Sequence, residues 1–155
     1  MRSARVLIPA LALSLGLTLS FGTGMASAAG RAIAITAGDD MKFSVTAISA
    51  KPGEELTVTL KATGSMPRVA MAHNFVLLKP GVDATAFVNA GAGASTTDFI
   101  APAYKAQVLA STKLVGNGET VEVTFKAPAK PGTYTYLCTF PGHFVSGMKG
   151  VLTVK

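Results

Sequence analysis

Gly- and Pro-bearing turns cut this chain into short runs, and that punctuation most narrows what it can fold into. Lys51-Pro52-Gly53, Pro80-Gly81, Gly116-Asn117-Gly118 and Pro131-Gly132 each end regular structure. Between them apolar residues recur at spacing two, the period of a strand with one face buried. Ile33 and Ile35 mark Arg31–Ala37. Met41, Phe43 and Val45 mark Met41–Ile48, and Leu56, Val58 and Leu60 mark Glu55–Ala62. Met71–Lys79 is an apolar run closed by Pro80-Gly81. Lys113–Val115 and Thr120–Lys126 read as a strand, a turn and a strand, and Thr133–Phe140 and Gly150–Lys155 close the set. Short strands at such intervals predict an all-β sandwich or barrel.

Val82–Ala110 departs from this pattern. It is rich in Ala and Gly, and the spacing predicts a short helix over Val82–Ala90, started near Asp83, with a second helical turn around Tyr104–Leu109. This stretch is an excursion between two strands, outside the sandwich. The chain shows no internal repeat, and 155 residues suit one domain.

The first 28 residues read as an address. Arg2 and Arg5 give a positive start, Val6–Leu19 is an apolar run of 14 residues, and Ala26-Ser27-Ala28 is a small-x-small cleavage site. A membrane anchor is the other reading, but spanning needs roughly 20 apolar residues. The two arginines are not adjacent, against a twin-arginine signal, and no cysteine stands just after the apolar run to carry a lipid. The expected organisation is a signal peptide over residues 1–28 and one domain over 29–155, working in the periplasm or otherwise outside the cytoplasm.

Counts then exclude several functions. The formal charge is +6, from 14 Lys+Arg against 8 Asp+Glu, too mild for a nucleic-acid binder. One cysteine forbids an intrachain disulfide, and two histidines cannot supply a multi-metal cluster. An exported protein with one unpaired cysteine asks for an explanation.

That cysteine stands in Cys138-Thr-Phe-Pro-Gly-His143-Phe-Val-Ser-Gly-Met148, at the seam between the last two strands. Pro141-Gly142 bends the chain, so Cys138 and His143 can face one point, and Gly147 lets it return with Met148. The other histidine, His73, lies in the apolar run Met71–Lys79. A thiolate is a soft, charge-donating ligand, imidazole suits both copper oxidation states, and a thioether binds weakly and favours the reduced ion. Two histidines and a cysteine with a distant methionine form the blue-copper arrangement. Singly, each residue reads as core: a lone buried cysteine behaves as a small apolar residue. Convergence of the only cysteine with both histidines on one apolar end favours a metal. A Cys–His nucleophile pair is a further reading; it lacks an orienting acid and leaves His73 without a role. Structural zinc prefers a closed tetrahedral set without a thioether.

With these residues in hand, the chain resembles a cupredoxin of the azurin type, with an auracyanin-like ligand loop. Asp40-Met41-Lys42-Phe43, Met71-Ala72-His73-Asn74, Lys113-Leu114-Val115-Gly116-Asn117-Gly118-Glu119, Cys138-Thr139-Phe140-Pro141-Gly142-His143 and Met148–Lys155 carry the likeness. It implies a Greek-key sandwich of about eight strands with a helical flap at Val82–Ala110. It implies one type 1 copper per chain, held by His73, Cys138, His143 and Met148, with the Ala72 carbonyl on the opposite axial side, where azurin has glycine. Asn74 and Thr139 are the implied pair tying the ligand loop to the first-ligand strand. Three departures stand out: this chain cannot form azurin's disulfide, its His-to-Met spacing is one residue longer, and azurin's additional titrating histidine is absent.

The expected function is electron transport: one electron carried between protein redox partners, such as a cytochrome or another donor or acceptor, with no substrate transformed. Docking is expected at an apolar collar of Met41, Met71, Phe140, Pro141 and Phe144 around an exposed edge of His143, the protein being a monomer without stable membrane insertion or nucleic-acid partner. The alternative is a copper storage or delivery protein without redox duty. A second catalytic copper, as in nitrite reduction, would need further imidazoles.

Overall fold

The computed structural model describes residues 30–155. The expected signal peptide at Met1–Ala28 lies outside the described residues. Among the described residues, eight strands form two sheets. In the first, β1 (Arg31–Ala37) runs parallel to β3 (Glu55–Ala62), and β3 is antiparallel to β6 (Thr120–Lys126). The alternation read from the sequence sets the register. Ile33 lies opposite Val58 and Ile35 opposite Leu60, all turned inward and buried. The intervening threonines face out, where the Thr57 and Thr124 hydroxyls meet at 2.9 Å and Thr59 donates to Glu122 at 2.7 Å. A one-residue slip would turn every one of these side chains to the wrong face.

The second sheet has the order β2 (Ala47–Ala50), β8 (Lys149–Val154), β7 (Gly132–Leu137), β4 (Val76–Leu78), β5 (Val108–Ser111). β2 runs parallel to β8 and the other pairs are antiparallel. The core fills the space between the sheets. Leu56, Val58, Leu60, Phe75, Leu77 and Tyr136 are fully buried there, each large apolar side chain contributing roughly 1.5–3 kcal/mol by leaving water. The phenol of Tyr136 donates to the Val45 carbonyl at 2.7 Å, so its polar tip is satisfied inside.

The flap is as expected in place and kind. Helix α1 (Ala84–Gly91) starts at Asp83, whose carboxylate accepts from the Thr85 and Ala86 N–H groups. Phe87 is buried and anchors it in a second apolar cluster with Val76, Leu78 and Leu137. Two 3-10 segments follow, Ser95–Thr97 and Pro102–Gln107.

Four expectations change. Lys113–Val115 forms no strand: only Val115 pairs, in an isolated bridge with His73. Met41–Ile48 is not one strand: Met41 has φ +54, which turns the chain, so only Phe43 pairs, with Ala37, before β2 begins at Ala47. Met71–Lys79 is buried as far as Leu78, but ladder pairing is confined to Val76–Leu78, with a separate bridge from His73 to Val115. Val108–Ala110, assigned to the excursion, belongs to an edge strand, Val108–Ser111, because β4 offers it an antiparallel partner distant in sequence.

Candidate metal centre

The register of β4 and β7 positions the site. Val76 pairs with Leu137, so the segments that flank them, with His73 before β4 and Cys138 directly after β7, leave the sheet at the same end. His73 is held by its backbone: its N–H donates to the Val115 carbonyl at 2.9 Å and its carbonyl accepts from Val115 at 2.8 Å. The ligand loop folds back on itself. The Met148 N–H donates to the His143 carbonyl at 2.9 Å, and the Cys138 N–H donates to the Met148 carbonyl at 3.2 Å. Gly142 (φ +87) and Gly147 (φ +93) supply the left-handed backbone this return requires. Outside the loop, the Lys42 ammonium donates to the Ser146 carbonyl.

These bonds bring His73, Cys138 and His143 together. One ligand atom from each lies within 4.8 Å of the others. Cys138 Sγ is 3.5 Å from His143 Nδ1, and the two imidazole centroids are 5.0 Å apart. All three residues are at most 2% exposed, and Met148 is fully buried in the same cluster as Cys138. The Ala72 carbonyl oxygen lies 3.9 Å from Cys138 Sγ. The backbone N–H groups of Asn74 and Phe140 favour the ionised sulfur. Asn74 and Thr139 are joined as expected, by a 2.7 Å bond between side chains and a 2.9 Å bond from the Thr139 N–H to Asn74 Oδ1.

The electrostatics fit a bound cation. Burial pushes the Cys138 thiol up to about 11, against the pull of the Asn74 and Phe140 N–H groups. Burial, then the neighbouring His73, pushes His143 down to about 4. His73 is also lowered by burial, while the charges of Asp39 and Asp40 act in the opposite direction. Both imidazoles are therefore neutral and free to donate a lone pair. A metal ion supplies the positive charge that a buried thiolate otherwise lacks. His73 Nδ1 is the decisive atom: it is buried and has no hydrogen-bond partner among the described residues. Leaving such an atom unpaired costs about 1–3 kcal/mol, and coordination would satisfy it. A nucleophilic role fits poorly, since a thiol held near 11 is inert at neutral pH.

The collar differs from expectation. His143 is 2% exposed, so little of its ring edge reaches solvent. Met71 is buried as well, Met41, Phe140 and Phe144 are half-buried, and Pro141 is exposed. Sequence reasoning missed Val145 in the ligand loop and Val69 before Met71, which are 81% and 87% exposed. Nothing in the pattern of apolar residues separates an outward valine from an inward one in a loop. It also missed Asp98, whose backbone carbonyl accepts from both Thr139 and Asn74.

A strand sandwich with a buried Cys, two His and a Met gathered at one end, arranged like a type 1 copper site, defines the cupredoxin class. The family model described as copper binding proteins, plastocyanin/azurin family, matches residues 30–155, and the chain belongs to that family. It is 41% identical over 125 residues to azurin iso-2 of Methylomonas sp. (strain J), covering 78% of this chain and 95% of the relative. It is 42% identical over 115 residues to outer membrane protein H.8 of Neisseria meningitidis serogroup B, covering 72% of this chain and 61% of that longer protein. Among solved structures, auracyanin A, a "blue" copper protein from Chloroflexus aurantiacus, superposes with a TM-score of 0.71 at 36% identity, over 80% of this chain and 98% of that one. Copper is thus the family's metal, and the donor set here fits it.

Proposed function

We propose that this protein is an exported electron carrier, not an enzyme, holding one copper ion at His73, Cys138, His143 and Met148 with the Ala72 carbonyl facing the same point. The unpartnered, buried His73 Nδ1 beside Cys138 and His143 is the observation that carries this reading. Bound copper would supply a one-electron Cu(II)/Cu(I) couple. The chain's own residues exclude water, keep both imidazoles neutral and hold the sulfur under two N–H donors. Backbone bonds at His73 and across the loop from Cys138 to Met148 resist rearrangement when charge changes.

Electrons enter and leave where the ligand loop meets solvent. Phe140 packs on His143 with centroids 4.8 Å apart, and Val145, in the ligand loop, and Val69, two residues before Met71, are outward apolar side chains. Such patches mark interaction sites, and small interfaces let redox partners such as a cytochrome dissociate quickly. Met1–Ala28 serves as the signal peptide, removed after Ala28, and residues 29–155 act in the periplasm as a monomer. None of the described helices is long and apolar enough to cross a membrane. Storage or delivery fits less well, because a fully buried thiolate offers no surface for handover.

Voltammetry and spin resonance of the copper-loaded protein test the proposal. One copper per chain with a reversible one-electron wave is expected. Copper that binds but never cycles would leave only the storage reading.

A further inference from the structure

Asp98 sits in the flap, after the 3-10 segment Ser95–Thr97, with left-handed backbone (φ +53, ψ +37), and Phe99 follows at φ +56. Two successive non-glycine residues in this region persist only where surrounding contacts over-determine them. Those contacts are specific. The Asp98 carbonyl accepts from Thr139 Oγ1 at 2.6 Å and from Asn74 Nδ2 at 3.2 Å. Its carboxylate accepts from the Leu114 N–H at 3.1 Å and faces the Lys113 ammonium at 3.3 Å. Helix α1 backs the turn: a Cβ on Gly91 would overlap the Phe99 carbonyl.

One residue thereby joins three segments that surround the metal centre. Asn74 follows His73, Thr139 follows Cys138, and Leu114 precedes Val115, which pairs with the His73 backbone. The N–H groups that favour the Cys138 thiolate belong to Asn74 and to Phe140, the neighbour of Thr139. We infer that Asp98 is a positioning residue of the copper centre: its left-handed carbonyl and its anchored carboxylate pin Asn74, Thr139 and Leu114, and so fix the segments that carry His73 and Cys138. The inference rests on the copper reading above. Hydrogen bonds around a ligand set its orientation and tune the metal. Donors that drift off the sulfur leave it richer in electrons, which favours Cu(II) and lowers the potential.

Two variants isolate the clamp. Asp98→Asn removes the negative charge, tolerates left-handed backbone and keeps an acceptor for Leu114. Asp98→Gly keeps the backbone freedom and removes the acceptor. In the metal-free protein, amide hydrogen exchange of Leu114 and Thr139 should be about tenfold faster in Asp98→Gly than in the parent. Asp98→Asn should match the parent, and Ile35 and Val58 should be unchanged in both. After copper loading, Asp98→Gly should have a lower potential and a shifted thiolate absorption relative to Asp98→Asn. Parent-like exchange in Asp98→Gly, or equal potentials in the two variants, would overturn the inference while leaving the copper reading intact. A parent without thiolate absorption would overturn the copper reading, and the role at copper with it, while exchange in the metal-free protein still decides whether Asp98 clamps the three segments.

Discussion

Asn74 and Thr139 exchange hydrogen bonds in both directions across the seam between the first-ligand strand and the ligand loop. The Asn74 amide donates to Thr139 Oγ1 at 2.7 Å, and the Thr139 N–H donates to Asn74 Oδ1 at 2.9 Å. Both residues are buried, so neither bond competes with water. Asn74→Leu leaves the Thr139 N–H without its acceptor, while the Thr139 hydroxyl keeps the Asp98 carbonyl. Loss of one buried donor's partner costs about 1–3 kcal/mol. Urea unfolding of the metal-free variant should show a loss of that size, with an unchanged slope.

The flap should be fastened chiefly by Phe87. Its ring is fully buried against Val76, Leu78 and Leu137, with Tyr104 edge-on at 6.0 Å. Phe87→Ala should lower stability by about 3–5 kcal/mol. Thermal unfolding measures the loss, and a loss below 1 kcal/mol would mean that the flap is held by other contacts.

Much of this architecture is legible in the residues alone, and the exceptions have physical causes. β1, β3 and β6 announce themselves by alternation, because each has one face in the core and one in water. β5 does not, since four residues beside Ala-rich chain carry no period and its pairing with β4 is a tertiary event. Met41–Ile48 alternates, yet the left-handed Met41 breaks it, a backbone state that side-chain pattern does not encode. His73, Cys138 and His143 are legible because the chain has one cysteine and two histidines, and Met148, one of six methionines, because it closes the same loop. Asp98 is not, because its contacts to Asn74 and Thr139 come from a carbonyl, which every residue has.

pH should matter little near neutrality in the copper-loaded protein. Both histidines of the chain lie in the proposed ligand set, so no imidazole is left to titrate elsewhere. The Ser65 N–H holds the Asp39 carboxyl below its ordinary 3.8, the Arg31 side chain holds Glu54 below 4.5, and the Gly116 N–H holds Glu119 below 4.5. A lowered carboxyl contributes stability that is complete above its unfolded value and is lost as pH falls through the folded one. The potential should be flat from about pH 6 to 8, and acid lability should begin below about pH 4.5. Voltammetry across this range checks the first statement and thermal unfolding the second.

Val145 should govern encounters between molecules without touching the metal centre. It is 81% exposed and lies between His143 and Met148. Val145→Glu puts a charge into an apolar contact and sets like charges opposite each other when two copies meet. Electron self-exchange, followed by NMR of mixed oxidised and reduced protein, should slow by about tenfold at low salt, with partial recovery as salt is added. The visible spectrum should be that of the parent. An unchanged rate would move the docking face elsewhere.

Optical absorption of copper-loaded parent and Cys138→Ser protein, measured side by side, bears most directly on the thiolate–copper bond at the centre of the account. The parent should show an intense visible band from sulfur-to-copper charge transfer, and Cys138→Ser should lose it even where copper still binds the histidines. Equal spectra from the two proteins, or no such band in the parent, would contradict the assignment of Cys138 as the ligand.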